Sequence, residues 1–133
     1  MRVLIAEDNK AVAGTLAAML DFSHHTVVEM VGSGLEAIQA YQRHHPDVVV
    51  MDYLMNGLNG VTACRNILAR DPSARVVLVS GALDPNELSL IHSGACAILR
   101  KPVTPEQLQE LLDTLTSVPE TETEQDLAVP SGN

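Results

Sequence analysis

Short apolar runs alternate along the chain with longer segments in which apolar residues recur at helical spacing. The runs are Arg2–Ala6, Thr26–Val31, Val48–Met51, Arg75–Val79 and Cys96–Leu99. Rich in Val, Ile and Leu, they predict strands, and the continuous ones predict strands buried on both faces. Between them, Lys10 to about Asp21 can be capped by Asn9 and repeats apolar positions at Val12, Leu16, Met19 and Leu20. Ser33, with Glu36 three residues on, forms a capping box for a helix carrying Leu35, Ile38 and Tyr41 and ending at His44-His45-Pro46. Gly57 and Gly60 break the stretch from Tyr53 to Asn59 into a loop, and Val61–Arg70 is a helix closed by Asp71-Pro72. Asp84-Pro85-Asn86-Glu87 places a cap, a first-turn proline and a first-turn acid at the start of another helix, with Gly94 as its expected stop. Thr104-Pro105-Glu106-Gln107 repeats that signature ahead of Leu108, Leu111, Leu112 and Leu115, which share one face.

Five strands alternating with five helices predict an α/β protein, (βα)5, with a doubly wound parallel sheet covered on both faces by right-handed crossovers. In open sheets of this kind ligands sit beyond the carboxyl ends of the strands. The strand exits read Glu7-Asp8, Gly32, Asp52, Ser80 and Lys101. They are the predicted functional surface.

Composition narrows this picture. The core must be aliphatic, because the 133 residues hold one Phe, two Tyr and no Trp. No run approaches the roughly 18 apolar residues of a membrane span, and acid arrives too early, at Glu7-Asp8, for a signal peptide. Cys64 and Cys96 fit neither a disulfide framework nor a zinc site and read as reduced thiols of a cytoplasmic protein. A net charge of −9 disfavours nucleic acid as a direct ligand. Four of the acids, Glu120, Glu122, Glu124 and Asp126, lie beyond Ser117 among Thr, Ser and Pro with no Lys or Arg. The expected division is therefore one domain over 1–117 and a disordered acidic tail or linker stub over 118–133.

The strand exits carry the chemistry. Glu7, Asp8 and Asp52 should converge at the ends of neighbouring central strands, where like charges repel unless a cation neutralises them. A hard divalent ion such as Mg²⁺ suits that oxygen set and keeps room for a phosphate. Lys101 brings a point charge to the same rim, and Ser80 brings a hydroxyl donor. With Asp52 as a carboxylate nucleophile, these are the parts of a phosphoryl-transfer site. Singly, each has a plain structural reading as a turn, a cap or a surface charge. Their common position at strand exits favours function.

Residues 1 to about 117 resemble the receiver domain of a two-component response regulator. The resemblance is carried by Val3-Leu4-Ile5-Ala6-Glu7-Asp8-Asn9, Asp47-Val48-Val49-Val50-Met51-Asp52, Val76-Val77-Leu78-Val79-Ser80-Gly81-Ala82 and Leu99-Arg100-Lys101-Pro102. It implies a flavodoxin-like strand order 2-1-3-4-5. It implies that Glu7 and Asp8 hold Mg²⁺ and that Asp52 is phosphorylated from a sensor histidine kinase or phosphotransfer protein. It further implies that Ser80 is a hydroxyl switch, that Lys101 binds the phosphoryl group and that the main-chain carbonyl of Leu54 completes the metal shell. A cis Lys101–Pro102 bond is common in that family. Such a domain is a signalling module, not an enzyme, and assists its own phosphorylation and dephosphorylation. Its expected output face comprises Asp84–Ser93, Cys96–Leu99 and Thr104–Thr116, open to an output partner, an effector domain or a second copy. Three features depart from the usual pattern. Ile98 stands where an aromatic is common, Asn56 where Pro is frequent, and Leu54 and Ala82 at rim positions that are often polar.

Three rival readings are weaker. Gly32-Ser33-Gly34-Leu35-Glu36-Ala37 matches a dinucleotide fingerprint, but that motif should follow the first strand, which ends here in Glu7-Asp8. An Asp-nucleophile phosphatase wants a second Asp where this chain has Leu54. A degenerate, binding-only receiver conflicts with the full set of Glu7, Asp8, Asp52, Ser80 and Lys101. The adjacent pairs His24-His25 and His44-His45 do not have metal-site spacing, since neighbouring helical residues point apart.

Overall fold

The computed structural model describes residues 1–21, 24–81 and 90–127, with side chains through residue 116. Among these, five parallel strands form one sheet: β1 (Arg2–Ala6), β2 (Thr26–Val31), β3 (Val48–Asp52), β4 (Val76–Ser80) and β5 (Ala97–Arg100), in the order β2-β1-β3-β4-β5. The helices are α1 (Lys10–Asp21), α2 (Gly34–His44), α3 (Gly60–Arg70) and α4 (Pro105–Leu127). The helix expected from Asp84, and the rim residue Ala82, lie outside the described residues. Two compact units are distinguished, Met1–Val103 with the sheet and Thr104–Asn133 with α4.

The central strands behave as their composition predicts. Val3 to Ala6, Val48 to Met51 and Val76 to Val79 are almost completely buried. Each such aliphatic side chain contributes roughly 1.5–3 kcal/mol on leaving water. This floor is what fixes the strand ends in place. The helix caps also match. Asn9 Oδ1 accepts from Ala11 and Val12, and Ser33 Oγ accepts from the Glu36 N–H. Glu36 reaches back to the Gly32 N–H, one residue beyond the usual box partner. Thr104 and Gln107 cap each other reciprocally at the start of α4.

The ends of three strands differ from the sequence expectation. β3 includes Asp52, while β4 and β5 each run one residue further to include Ser80 and Arg100. The cause is pairing beyond the apolar runs: the Tyr53 N–H donates to the Val79 carbonyl and the Lys101 N–H to the Ser80 carbonyl, both at 2.8 Å. Asp52 and Ser80 are thus the last rungs of a ladder and not loop residues. A further difference is in the acidic segment. The backbone is helical through Leu127, with Pro119 inside that helix, where composition predicts an unstructured tail. Gly94, the expected helix stop, has φ +91°, the left-handed conformation that such stops use.

Candidate phosphoryl-transfer site

The ends of β1 and β3 are adjacent in the sheet, and that adjacency brings the three carboxylates together. One oxygen from each of Glu7, Asp8 and Asp52 lies within 4.8 Å of the others. Glu7 is 4% and Asp52 6% exposed, with Asp8 more open. Lys101, delivered by the end of β5, crosses the mouth. Its Nζ is 3.4 Å from Asp52 Oδ1 and 3.5 Å from Glu7 Oε1. Glu7 is also held from the other side, where its Oε2 accepts the Asn9 N–H at 3.1 Å. Ser80 is 0% exposed at the end of β4, and its hydroxyl lies 3.2 Å from the Gly81 carbonyl. The Lys101–Pro102 bond is cis. The sheet therefore brings Glu7, Asp8, Asp52 and Lys101 together, with Ser80 at the end of the strand beside β3.

Charge is crowded here. Burial first, and then the Glu7 charge, push the Asp52 carboxyl up to about 6, while the Lys101 ammonium opposes them. Burial alone would lower the Lys101 pKa. The Asp52 and Glu7 carboxylates outweigh it and hold the ammonium above its ordinary value. Three hard oxygen donors with surplus negative charge, nearly closed on one side and open at Asp8, fit a magnesium-sized ion that keeps some of its waters.

A profile described as the response regulator receiver domain matches residues 3–113. The chain belongs to the response regulator receiver family. It is 39% identical over 107 residues to a protein-glutamate methylesterase/protein-glutamine glutaminase of Nitrosospira multiformis, covering 77% of this chain and 30% of that protein. It is 28% identical over 116 residues to the chemotaxis protein CheY of Thermotoga maritima, covering 86% of this chain and 97% of that protein. The chain thus spans under a third of the methylesterase relatives and nearly all of the CheY. Among solved structures, the CheX–CheY–BeF3–Mg complex from Borrelia burgdorferi aligns with a TM-score of 0.80 at 25% identity, over 87% of this chain and 89% of that one. The response regulator domain of Thermotoga maritima CheB aligns with a TM-score of 0.74 at 28% identity, over 87% and 93%.

Within this receiver domain the loop after β3 is tied to the acid cluster. The Asn56 N–H donates to Asp8 Oδ2 at 3.2 Å, and the Gly60 N–H donates to the Tyr53 carbonyl at 2.8 Å. In the sequence, Asn56 stands out only as a departure from Pro. Its N–H, which a proline would lack, had no local signal because its partner is 48 residues away. Leu54 stands at the rim, 61% exposed. Ile98 is partly buried against the main core cluster.

The remaining motifs resolve into structure. Gly34 is needed for packing: a Cβ there would lie 2.5 Å from the Leu58 carbonyl oxygen. The glycine pattern at 32–37 is therefore accounted for without a dinucleotide. His44 pairs with Glu29 at 2.8 Å alongside Arg43, and His45 caps α2 with φ 44°. Cys64 is buried, and burial pushes its thiol up to about 11. Cys96 is exposed. Among the described residues no helix is long and apolar enough to cross a membrane.

Proposed function

We propose that this receiver domain is a phosphoacceptor in which Asp52 takes a phosphoryl group, in a Mg²⁺-dependent reaction, from a sensor histidine kinase or phosphotransfer protein. The observation that carries the reading is the convergence of Glu7, Asp8 and Asp52 with the Lys101 ammonium in one mouth. The ionised Asp52 oxygen attacks phosphorus, the P–N bond of the donor phosphohistidine breaks, and the histidine nitrogen keeps the bonding pair. Lys101 offsets charge on the equatorial phosphoryl oxygens. The Ser80 hydroxyl donates to one of those oxygens once they are in place. Glu7, Asp8, Asp52 and the Leu54 carbonyl would hold Mg²⁺, which supplies positive charge against the same oxygens.

A donor surface is available beside the mouth. A largely apolar groove of about 540 Å³, lined by Val12, Leu16 and Met19 of α1 and by Pro102 and Val103, opens next to Lys101. A donor protein seated there would bring its phosphohistidine to Asp52. Output to a partner, an effector domain or a second copy goes through the face that includes Ile91, which is 56% exposed, and β5, where Ile98 stands in place of the usual aromatic. The receiver unit is assigned to 1–117, with 118–133 as an acidic tail or linker. A protein that a sensor kinase reaches in this way works in the cytoplasm.

The test is incubation with Mg²⁺ and a small acyl phosphate donor, followed by intact mass. The expected result is a gain of one phosphoryl group, absent with EDTA and absent in Asp52→Asn. No gain in the parent chain would favour a binding-only receiver.

A further inference from the structure

We infer that Gly34 is a positioning residue for the metal-binding loop, acting through the backbone of Leu58. This rests on the Mg²⁺-dependent reading above. Gly34 is the first residue of α2, behind the Ser33 cap. Its φ lies outside the left-handed region, so the backbone conformation there does not demand glycine. On helix propensity alone, alanine would be favoured. Space forbids it. A methyl group at Gly34 would lie 2.5 Å from Leu58 O, 3.1 Å from Leu58 Cβ and 3.2 Å from Ala63 Cβ. The nearest obstacle is backbone, which cannot rotate away as the end of a long side chain can.

Leu58 belongs to the loop that leaves Asp52 and enters α3. That loop is pinned at three places. The Gly60 N–H bonds the Tyr53 carbonyl, Leu58 rests on Gly34, and the Asn56 N–H bonds Asp8 Oδ2 at 3.2 Å. A glycine at position 60 is required for the same reason, because a Cβ there would collide with the Asp52 carbonyl. Pressure on Leu58 from α2 therefore has no outlet at Gly60 and moves the Leu54–Asn56 end. The Asn56–Asp8 bond is already at the long end of the hydrogen-bond range, so it is the first to break. Asp8 then loses the donor that orients it, and the Leu54 carbonyl shifts with the loop. Outer partners that orient metal ligands typically change metal affinity by about 10- to 100-fold when lost.

The measurement is Mg²⁺ affinity by titration calorimetry on the full chain, well below each variant's unfolding temperature. Gly34→Ala is compared with the parent and with Leu20→Ala, a core truncation at the far end of α1. The expected result is a weakening on the order of tenfold in Gly34→Ala, with Leu20→Ala unchanged despite its lost stability. An NMR shift of the Asn56 amide in the metal-free Gly34→Ala protein is expected as well. Leu58→Gly loosens the same loop without adding bulk, and should weaken Mg²⁺ binding even where Gly34→Ala does not fold. Parental affinity in both loop variants, or an equal loss in Leu20→Ala, overturns the inference. A parent chain that binds no Mg²⁺ overturns instead the metal-dependent reading on which the inference stands.

Discussion

Lys101 Nζ lies 3.4 Å from Asp52 Oδ1, so the ammonium that would meet an incoming phosphoryl group already neutralises its acceptor. The same ammonium reaches Glu7 at 3.5 Å. A cation held between two buried carboxylates is pre-organised, and removing it leaves both exposed to each other's charge.

Replacing Lys101 by Met should slow phosphorylation of Asp52 by small acyl phosphates on the order of 100-fold, the usual scale for loss of one pre-organised charge partner. Lys101→Arg should recover only part, because its planar fork does not substitute for a compact point charge. Time-resolved intact mass measures both. A Lys101→Met rate within twofold of the parent would remove Lys101 from the proposed chemistry.

Asp52→Asn should stabilise the metal-free protein at neutral pH. The sign follows from the direction of the shift. The folded-state carboxyl titrates at about 6, above its ordinary 3.8, so folding is unpenalised below the lower value and loses stability as pH rises through the higher one. The shift corresponds to at most ~3 kcal/mol. In EDTA, the variant should therefore unfold at a higher temperature than the parent at pH 7.5, with the gap closing near pH 4. Mg²⁺ should also narrow it by stabilising the parent. A gap that does not depend on pH would argue against charge crowding at Asp52.

Leu54→Asn should shorten the life of the phosphorylated form. The parent side chain is apolar and exposed at the rim, so it offers no hydrogen bond to orient an attacking water. The decay of the phosphorylated mass after donor removal should be roughly several-fold faster in the variant, because an amide at the rim can orient the attacking water. Equal decay would show that this rim position does not control water.

Gly60→Ala should destabilise the fold by roughly 2 kcal/mol or more, as overpacking against backbone does. Helix propensity alone predicts the opposite sign, a gain of ~1 kcal/mol. The reason is the collision of the new Cβ with the Asp52 carbonyl. Urea unfolding in EDTA reads this without interference from metal binding.

Met19→Glu should separate donor docking from chemistry. Met19 lines the groove beside Lys101 and is not among the residues of the acid cluster. Transfer from a phosphohistidine protein should slow by tenfold or so, about the scale of 1.4 kcal/mol of lost contact, while small acyl phosphates should work as in the parent. Equal slowing with both donors would place the effect on folding or on the site itself.

The strand–helix alternation, the caps at Asn9, Ser33 and Thr104, and the chemical types at the strand exits were legible in the sequence. All of them depend on neighbours within one turn or one strand, where spacing and residue type carry the physics. The rule for open parallel sheets put Glu7, Asp8, Asp52, Ser80 and Lys101 at one edge, while the strand order came only with the family resemblance. Other features arise from partners far apart in the chain. Asp52 and Ser80 are rungs of the sheet because the Tyr53 N–H pairs with the Val79 carbonyl and the Lys101 N–H with the Ser80 carbonyl. Lys101 bridges two carboxylates because β1, β3 and β5 end on the same side. Gly34 serves packing and not a dinucleotide because the Leu58 carbonyl lies where its Cβ would be. Local pattern carries no record of such contacts, because they form only when the chain closes loops of tens of residues and bulk competes for the same space.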